Sequence, residues 1–223
     1  EDVTGFDGSD LQITNGAASN LQATSASVYT ATITPAADGD VVIAIPAGAV
    51  QDGAGNNNTA ASPVTIRNDQ TAPSLVLSST SPDPVSGAFT LTATFSEAVT
   101  GFAADDLTVG NGSASNLAAT STSVYTATIT PASDGQVTVD VAANAAIDGA
   151  GNGNTAAAQF TITNDATAPV PTITLPGTQA EGAFTVSISF SEDVTGFEIS
   201  DINVTNGAAS GFTSMNARTF RRP

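Results

Sequence analysis

Residues 4–39 read TGFDGSDLQITNGAASNLQATSASVYTATITPAADG, and residues 100–135 read TGFAADDLTVGNGSASNLAATSTSVYTATITPASDG. A third copy opens at residues 195–210 as TGFEISDINVTNGAAS. Glu1, Glu97 and Glu192 mark the same point in each copy, at intervals of 96 and 95 residues. That interval is the size of one small β-sandwich, so one repeat equals one domain.

Outward from this block, the linkers RNDQTAPS around Asp69 and TNDATAPV around Asp165 separate the copies. A Pro after Thr-Ala cannot extend a central strand, so it starts a new module. Cutting there predicts a partial module at 1–69, a complete one at 70–165 and a partial one at 166–223. The first lacks its opening strands, and the third stops near Phe220, the counterpart of Tyr125, so the chain reads as a window on a longer array. The final ARTFRRP departs from the SVYTATITP pattern in charge and composition.

Strands follow from alternation. Phe89, Leu91, Ala93 and Phe95 interleave with Thr90, Thr92 and Thr94, and Phe184, Val186, Ile188 and Phe190 repeat the scheme. Apolar residues face a core and hydroxyls face water. Residues 124–129, 137–141 and 160–162 behave likewise, with turns at Asn111-Gly112 and Asp134-Gly135. With an opening strand and short segments at Leu107, Val109 and Leu117, the complete module has about seven strands, the number expected of an all-β sandwich.

Composition closes off most chemistry. With 40% hydrophobic residues the chain can fill ordinary cores. Lys+Arg is 4 against Asp+Glu 21, for a formal charge of -17, and no residue is Lys. Such a chain repels nucleic acid and anionic membranes, and no segment reads as a signal peptide or a membrane span. The absence of Cys removes disulfides, zinc thiolates and thiol nucleophiles, and the absence of His removes the usual general base. Paired carboxylates can hydrolyse glycosides, but they need a cleft with one acid in an apolar setting, and here the acids sit in polar turns. The chain is therefore expected not to be an enzyme.

The blocks FSEAVTGF, DLTVGNGSASN, VYTATITPASDG and AIDGAGNGNTAA, followed by NDATAP, resemble the bacterial Ig-like repeats of very large secreted surface adhesins and biofilm proteins. The resemblance covers essentially the whole chain. It implies tandem immunoglobulin-like Greek-key β-sandwiches on the cell surface or outside the cell. Stacked as a rod, they hold an adhesive tip away from the cell, often stiffened by calcium at the domain junctions.

In such a sandwich the loops at 96–106 and 143–156 lie at the end where the preceding linker enters. That places Asp69, Glu97, Asp106 and Asp148 near one junction, with Asn152 as a further oxygen ligand. Calcium takes six to eight oxygens, and the Gly-rich DGAGNGN loop can bring several onto one ion. The acids recur as Glu1, Asp10 and Asp52 in the first copy and as Asp165, Glu192 and Asp201 toward the third, whereas Asp105 and Asp7 do not. Two readings stand: a structural Ca2+ that neutralises the gathered carboxylates, or metal-free turns whose acids are separated by solvent. Asp38 and Asp134, at the opposite end of their sandwiches, read as turn residues. Tyr29, Tyr125, Phe6, Phe102 and Phe197 read as core.

Three functions compete. The first is a spacer whose partners are the neighbouring repeats. The second is recognition of a carbohydrate or of a host or matrix protein receptor, disfavoured by the lack of Trp and by 5% aromatics. The third is self-association into a filament, one molecule's strands completing another's partial module.

Overall fold

The computed structural model describes residues 1–221. The chain divides into two compact units, Glu1–Asn164 and Asp165 onward. The first repeat holds β1 (Val3–Thr4), β2 (Gln12–Thr14), β3 (Gly16–Ser25), β4 (Val28–Pro35), β5 (Gly39–Ala44), β6 (Gln51–Asp52) and β7 (Val64–Asn68). The second holds β8 (Leu75–Ser78), β9 (Phe89–Phe95), β10 (Leu107–Gly110), β11 (Gly112–Ala119), β12 (Val124–Pro131), β13 (Gly135–Val141) and β14 (Phe160–Asn164). The third holds β15 (Pro171–Thr174), β16 (Ser187–Phe190), β17 (Thr213–Asn216) and β18 (Thr219–Arg221).

The second repeat is a seven-stranded sandwich. One sheet runs β8-β9-β12-β11 and the other β10-β13-β14. This four-plus-three partition is that of an immunoglobulin constant-type domain, and the connections form a Greek key. The alternation of β9 sets the inner face: Phe89, Leu91, Ala93 and Phe95 are buried, and they meet Ile129 and Ala127 from β12 and Val137, Val139 and Val141 from β13. The Thr residues between them point to the other side of the sheet. Tyr125 and Phe102 lie at one end of this core. Their rings stand edge-on at 5.2 Å, and the Tyr125 hydroxyl donates to Val99 O at 3.2 Å.

Two local devices recur. Asn111 takes a left-handed φ of 55°, which opens the turn between β10 and β11. At Gly112 a Cβ would lie 2.8 Å from Thr130 O, so only glycine lets β11 approach β12 there. Asn15 and Gly16 repeat both features in the first repeat.

After β8 the chain crosses between sheets, and Val85 pairs in parallel with Asn164 of β14. Val85 N donates to Thr163 O at 2.8 Å. This crossover and β9 cover β14, leaving Ile162 5% exposed. The first repeat has no counterpart of β8 or β9 among its described residues, and its equivalent Ile66 is 64% exposed. An apolar groove lined by Val3, Phe6, Tyr29, Ile33 and Ile43 lies where those strands sit in the second repeat.

The third repeat differs from the sequence expectation at its second strand. Alternation predicts a strand through Phe184 and Val186, yet β16 spans only Ser187–Phe190, and Phe184 is largely exposed. The ladder with β18 begins at Ser187↔Arg221, so residues 184–186 have no described strand opposite them. The atypical tail nevertheless occupies the β12 position. Phe220 pairs with Ile188 as Tyr125 pairs with Ala93. Arg218 Nε meets Asp193 Oδ1 at 2.6 Å in an exposed ion pair.

Candidate metal centre

Three carboxylates distant in sequence meet where the linker from the first repeat enters the second. Asp69, Glu97 and Asp148 each place an oxygen within 4.8 Å of the others. Asp69 follows β7, Glu97 follows β9, and Asp148 sits in the loop between β13 and β14. Asp148 is 5% exposed, and the other two are half-buried.

The loop at Asp148 folds around its own carboxylate. Oδ1 accepts from the backbone N–H groups of Ala150 and Asn152, both at 2.8 Å, and Oδ2 accepts from Asn152 Nδ2 at 2.9 Å. Asn152 Nδ2 also donates to the Asp69 carbonyl oxygen at 3.1 Å, which ties the loop to the linker. In this arrangement the Asn152 amide N–H braces two of the converging residues. Asp69 Oδ1 accepts from Thr71 N at 3.2 Å.

Hydrogen bonds led by the Asn152 side chain hold the Asp148 carboxyl below its ordinary value. The stability this contributes is present above the ordinary carboxylate range and is lost as pH falls through the lowered value. Glu97 behaves oppositely: desolvation first, then the charges of Asp69, Asp148 and Asp38, push its carboxyl up. Its ionised form is therefore disfavoured in the fold, and ion-free stability falls as pH rises through the raised value. Among the described residues the one ion pair is Arg218–Asp193, so none of the three carboxylates is held in an ion pair there.

Asp106 is not one of the three. Its Oδ2 accepts from Ala103 N at 2.8 Å and closes a single 3-10 turn at Ala104–Asp106. Asp10 and Asp201 make the same bond to Asp7 N and Glu198 N. In the first repeat, Asp52 copies Asp148 by accepting from Ala54 N, Asn56 N and Asn56 Nδ2, each at 2.8 Å. Glu1 and Asp52 line one polar hollow. In the third repeat, Glu192 and Asp201 line another, and Glu192 Oε1 is buried without a hydrogen-bond partner among the described residues. Asp165 Oδ1 accepts from Thr167 N at 3.2 Å, as Asp69 does from Thr71 N.

A family model described as a bacterial Ig-like domain matches residues 1–67, 69–163 and 165–221. The chain belongs to the bacterial Ig-like domain family. No curated protein matches it.

In these Ig-like repeats two residues escape a reading of the sequence. Asn154 is 1% exposed and ties the loop that carries Asp148. Its Oδ1 accepts from Ala146 N at 2.7 Å, and its Nδ2 donates to Ala142 O at 3.1 Å and Thr155 O at 2.8 Å. The signal was its exact recurrence at Asn58, which bonds Val50 N, Pro46 O and Thr59 O in the same way. Asp38 is the other. It lies at the far end of its own sandwich, as expected, but that end is the one that meets the second repeat, and its charge reaches Glu97.

Proposed function

We propose that these repeats are non-catalytic spacers of an extracellular adhesin or biofilm protein, forming a rod stiffened by Ca2+ at the junction of successive repeats. Membership of the bacterial Ig-like family fits a structural repeat role. Among the described residues no helix is long and apolar enough to cross a membrane.

The observation that carries the calcium reading is the convergence of Asp69, Glu97 and Asp148 within 4.8 Å, with no ion pair to any of them among the described residues. Two oxygens on opposite sides of one calcium, each at about 2.4 Å, stand about 4.8 Å apart, so the three carboxylates suit a shared ion. Carboxylate oxygens suit a hard cation, and the chain offers no thiolate or imidazole for a softer one. The backbone carbonyls of the Gly-rich loop and water would complete the shell.

An ion that binds only the folded state stabilises it by about 2.7 kcal/mol when its free concentration is ~100 times Kd. The midpoint of a thermal melt is accordingly expected to rise by several degrees when calcium replaces chelator. An unchanged midpoint would leave a plain acidic spacer.

A further inference from the structure

We propose that Asp38 latches the first repeat onto the linker of the second, so that the junction is ordered before any ion binds. Two sandwiches joined by a short linker move independently by default unless something fixes the connection. Here the linker is bonded from both sides.

From the first repeat, Asp38 Oδ1 accepts from Gln70 N at 2.7 Å and its Oδ2 accepts from the Thr71 hydroxyl. Ala37 O, one residue earlier, accepts from Asn68 Nδ2 at 2.9 Å and from Asn15 Nδ2 at 2.9 Å. The tip between β4 and β5 thus grips the chain at residues 68, 70 and 71. From the second repeat, Asn152 Nδ2 holds the Asp69 carbonyl at 3.1 Å, and Thr155 N holds the carbonyl of the fully buried Pro73 at 2.9 Å. Ser74 exchanges bonds with Ser96 through N–H to Oγ at 3.0 Å and through its carbonyl to Ser96 N at 2.9 Å.

Between Asn68 and Ser74 only Ala72 lacks such a bond, so no run of two free residues remains to act as a hinge. Both Asp38 oxygens accept from linker donors, and Asp38 is not among the three carboxylates that converge, which separates its role from that of Asp69, Glu97 and Asp148. The repeat keeps the chemistry that the latch uses. Thr occupies both 71 and 167, and Asp occupies both 38 and 134, whereas position 70 is Gln and its counterpart 166 is Ala. Asp38 engages only the backbone N–H of residue 70; the Gln70 side chain, whose Nε2 donates to Asn68 Oδ1 at 3.4 Å, does not touch Asp38.

The proposal goes beyond the calcium reading and does not depend on it, and it is tested in chelator. The chain has no Cys, so Ala17→Cys and Ala118→Cys, on exposed sites of β3 and β11, accept a spin-label pair cleanly. The distance distribution between the labels is expected to be narrow in the otherwise unchanged full chain and roughly two-fold broader after Asp38→Ala, as freed domains re-orient. Thr71→Val, which keeps the side-chain shape and removes the hydroxyl, is expected to broaden it in the same direction. Gln70→Ala is expected to leave it unchanged. Circular dichroism confirms that each variant is folded. Equal widths for the unchanged chain, Asp38→Ala and Thr71→Val would overturn the latch, whatever calcium does.

Discussion

Leu91→Ala is expected to cost the second repeat about 2–5 kcal/mol, the range for deleting a fully buried leucine from a packed core. Leu91 is 1% exposed, at the centre of β9. It lies opposite Ala127 of β12, beneath the buried valines of β13. Those neighbours belong to paired strands and cannot collapse far into the space, so the cavity persists. A domain of this size has a total stability of about 5–15 kcal/mol, so the loss is a large share of it. The adjacent Thr92 faces outward, and Thr92→Ala is expected to stay within about 0.5 kcal/mol. The chain has no Trp and two Tyr. In a Tyr29→Phe background, urea unfolding followed by Tyr125 fluorescence therefore reports the second repeat alone. Equal midpoints for the two variants would contradict the assigned inner face.

Asn154→Ala is expected to cost about 3 kcal/mol, although the residue is polar and in a loop. Three backbone groups lose their partner at once: Ala146 N–H, Ala142 C=O and Thr155 C=O. Buried groups left unsatisfied cost more than the net worth of the bonds that satisfied them. Because the same loop carries Asp148 and holds Pro73 through Thr155 N, the damage extends to the junction. Hydrogen exchange at Ala146 and Thr155 is expected to accelerate together. Acceleration at Ala146 alone would show that Asn154 serves only its own turn.

Much of the second repeat was legible before its structure because alternation and burial coincide there. Phe89–Phe95 alternates in sequence, and as β9 it has buried neighbours on one side and a ladder on β12 that runs from Phe89 to Thr94. The same pattern at Phe184 fails because no described strand faces it, and periodicity carries no information about the partner. The crossover at Val85 was equally silent, since one residue shows no period. At the junction, the recurring acids pointed to Asp69, Glu97 and Asp148, which the fold brings together. Asp106 recurs as faithfully and instead closes its own 3-10 turn, because internal recurrence marks any structural requirement, including a turn. Asp38 falls at the far end of its sandwich by sequence, and in a tandem array the far end of one domain is the near end of the next, where it meets Gln70 and Thr71. Asn154 was hidden because a buried amide in a Gly- and Asn-rich loop looks like any other turn residue until its three partners are visible.

The central claim, that the junction holds a cation, is tested most directly by comparing the melts of the unchanged chain and Glu97→Gln at neutral pH in chelator and in calcium. Desolvation and the charges of Asp69, Asp148 and Asp38 oppose ionised Glu97, so without calcium the variant is expected to melt at the same or a higher temperature. That advantage should shrink as pH falls below the raised value and vanish below the ordinary carboxylate range, where Glu97 is protonated in both the folded and the unfolded chain. With calcium the order is expected to reverse: the unchanged chain gains several degrees, and the variant, short of one anionic ligand, gains little. Equal gains in both proteins, or none in either, would contradict a calcium site built from Asp69, Glu97 and Asp148.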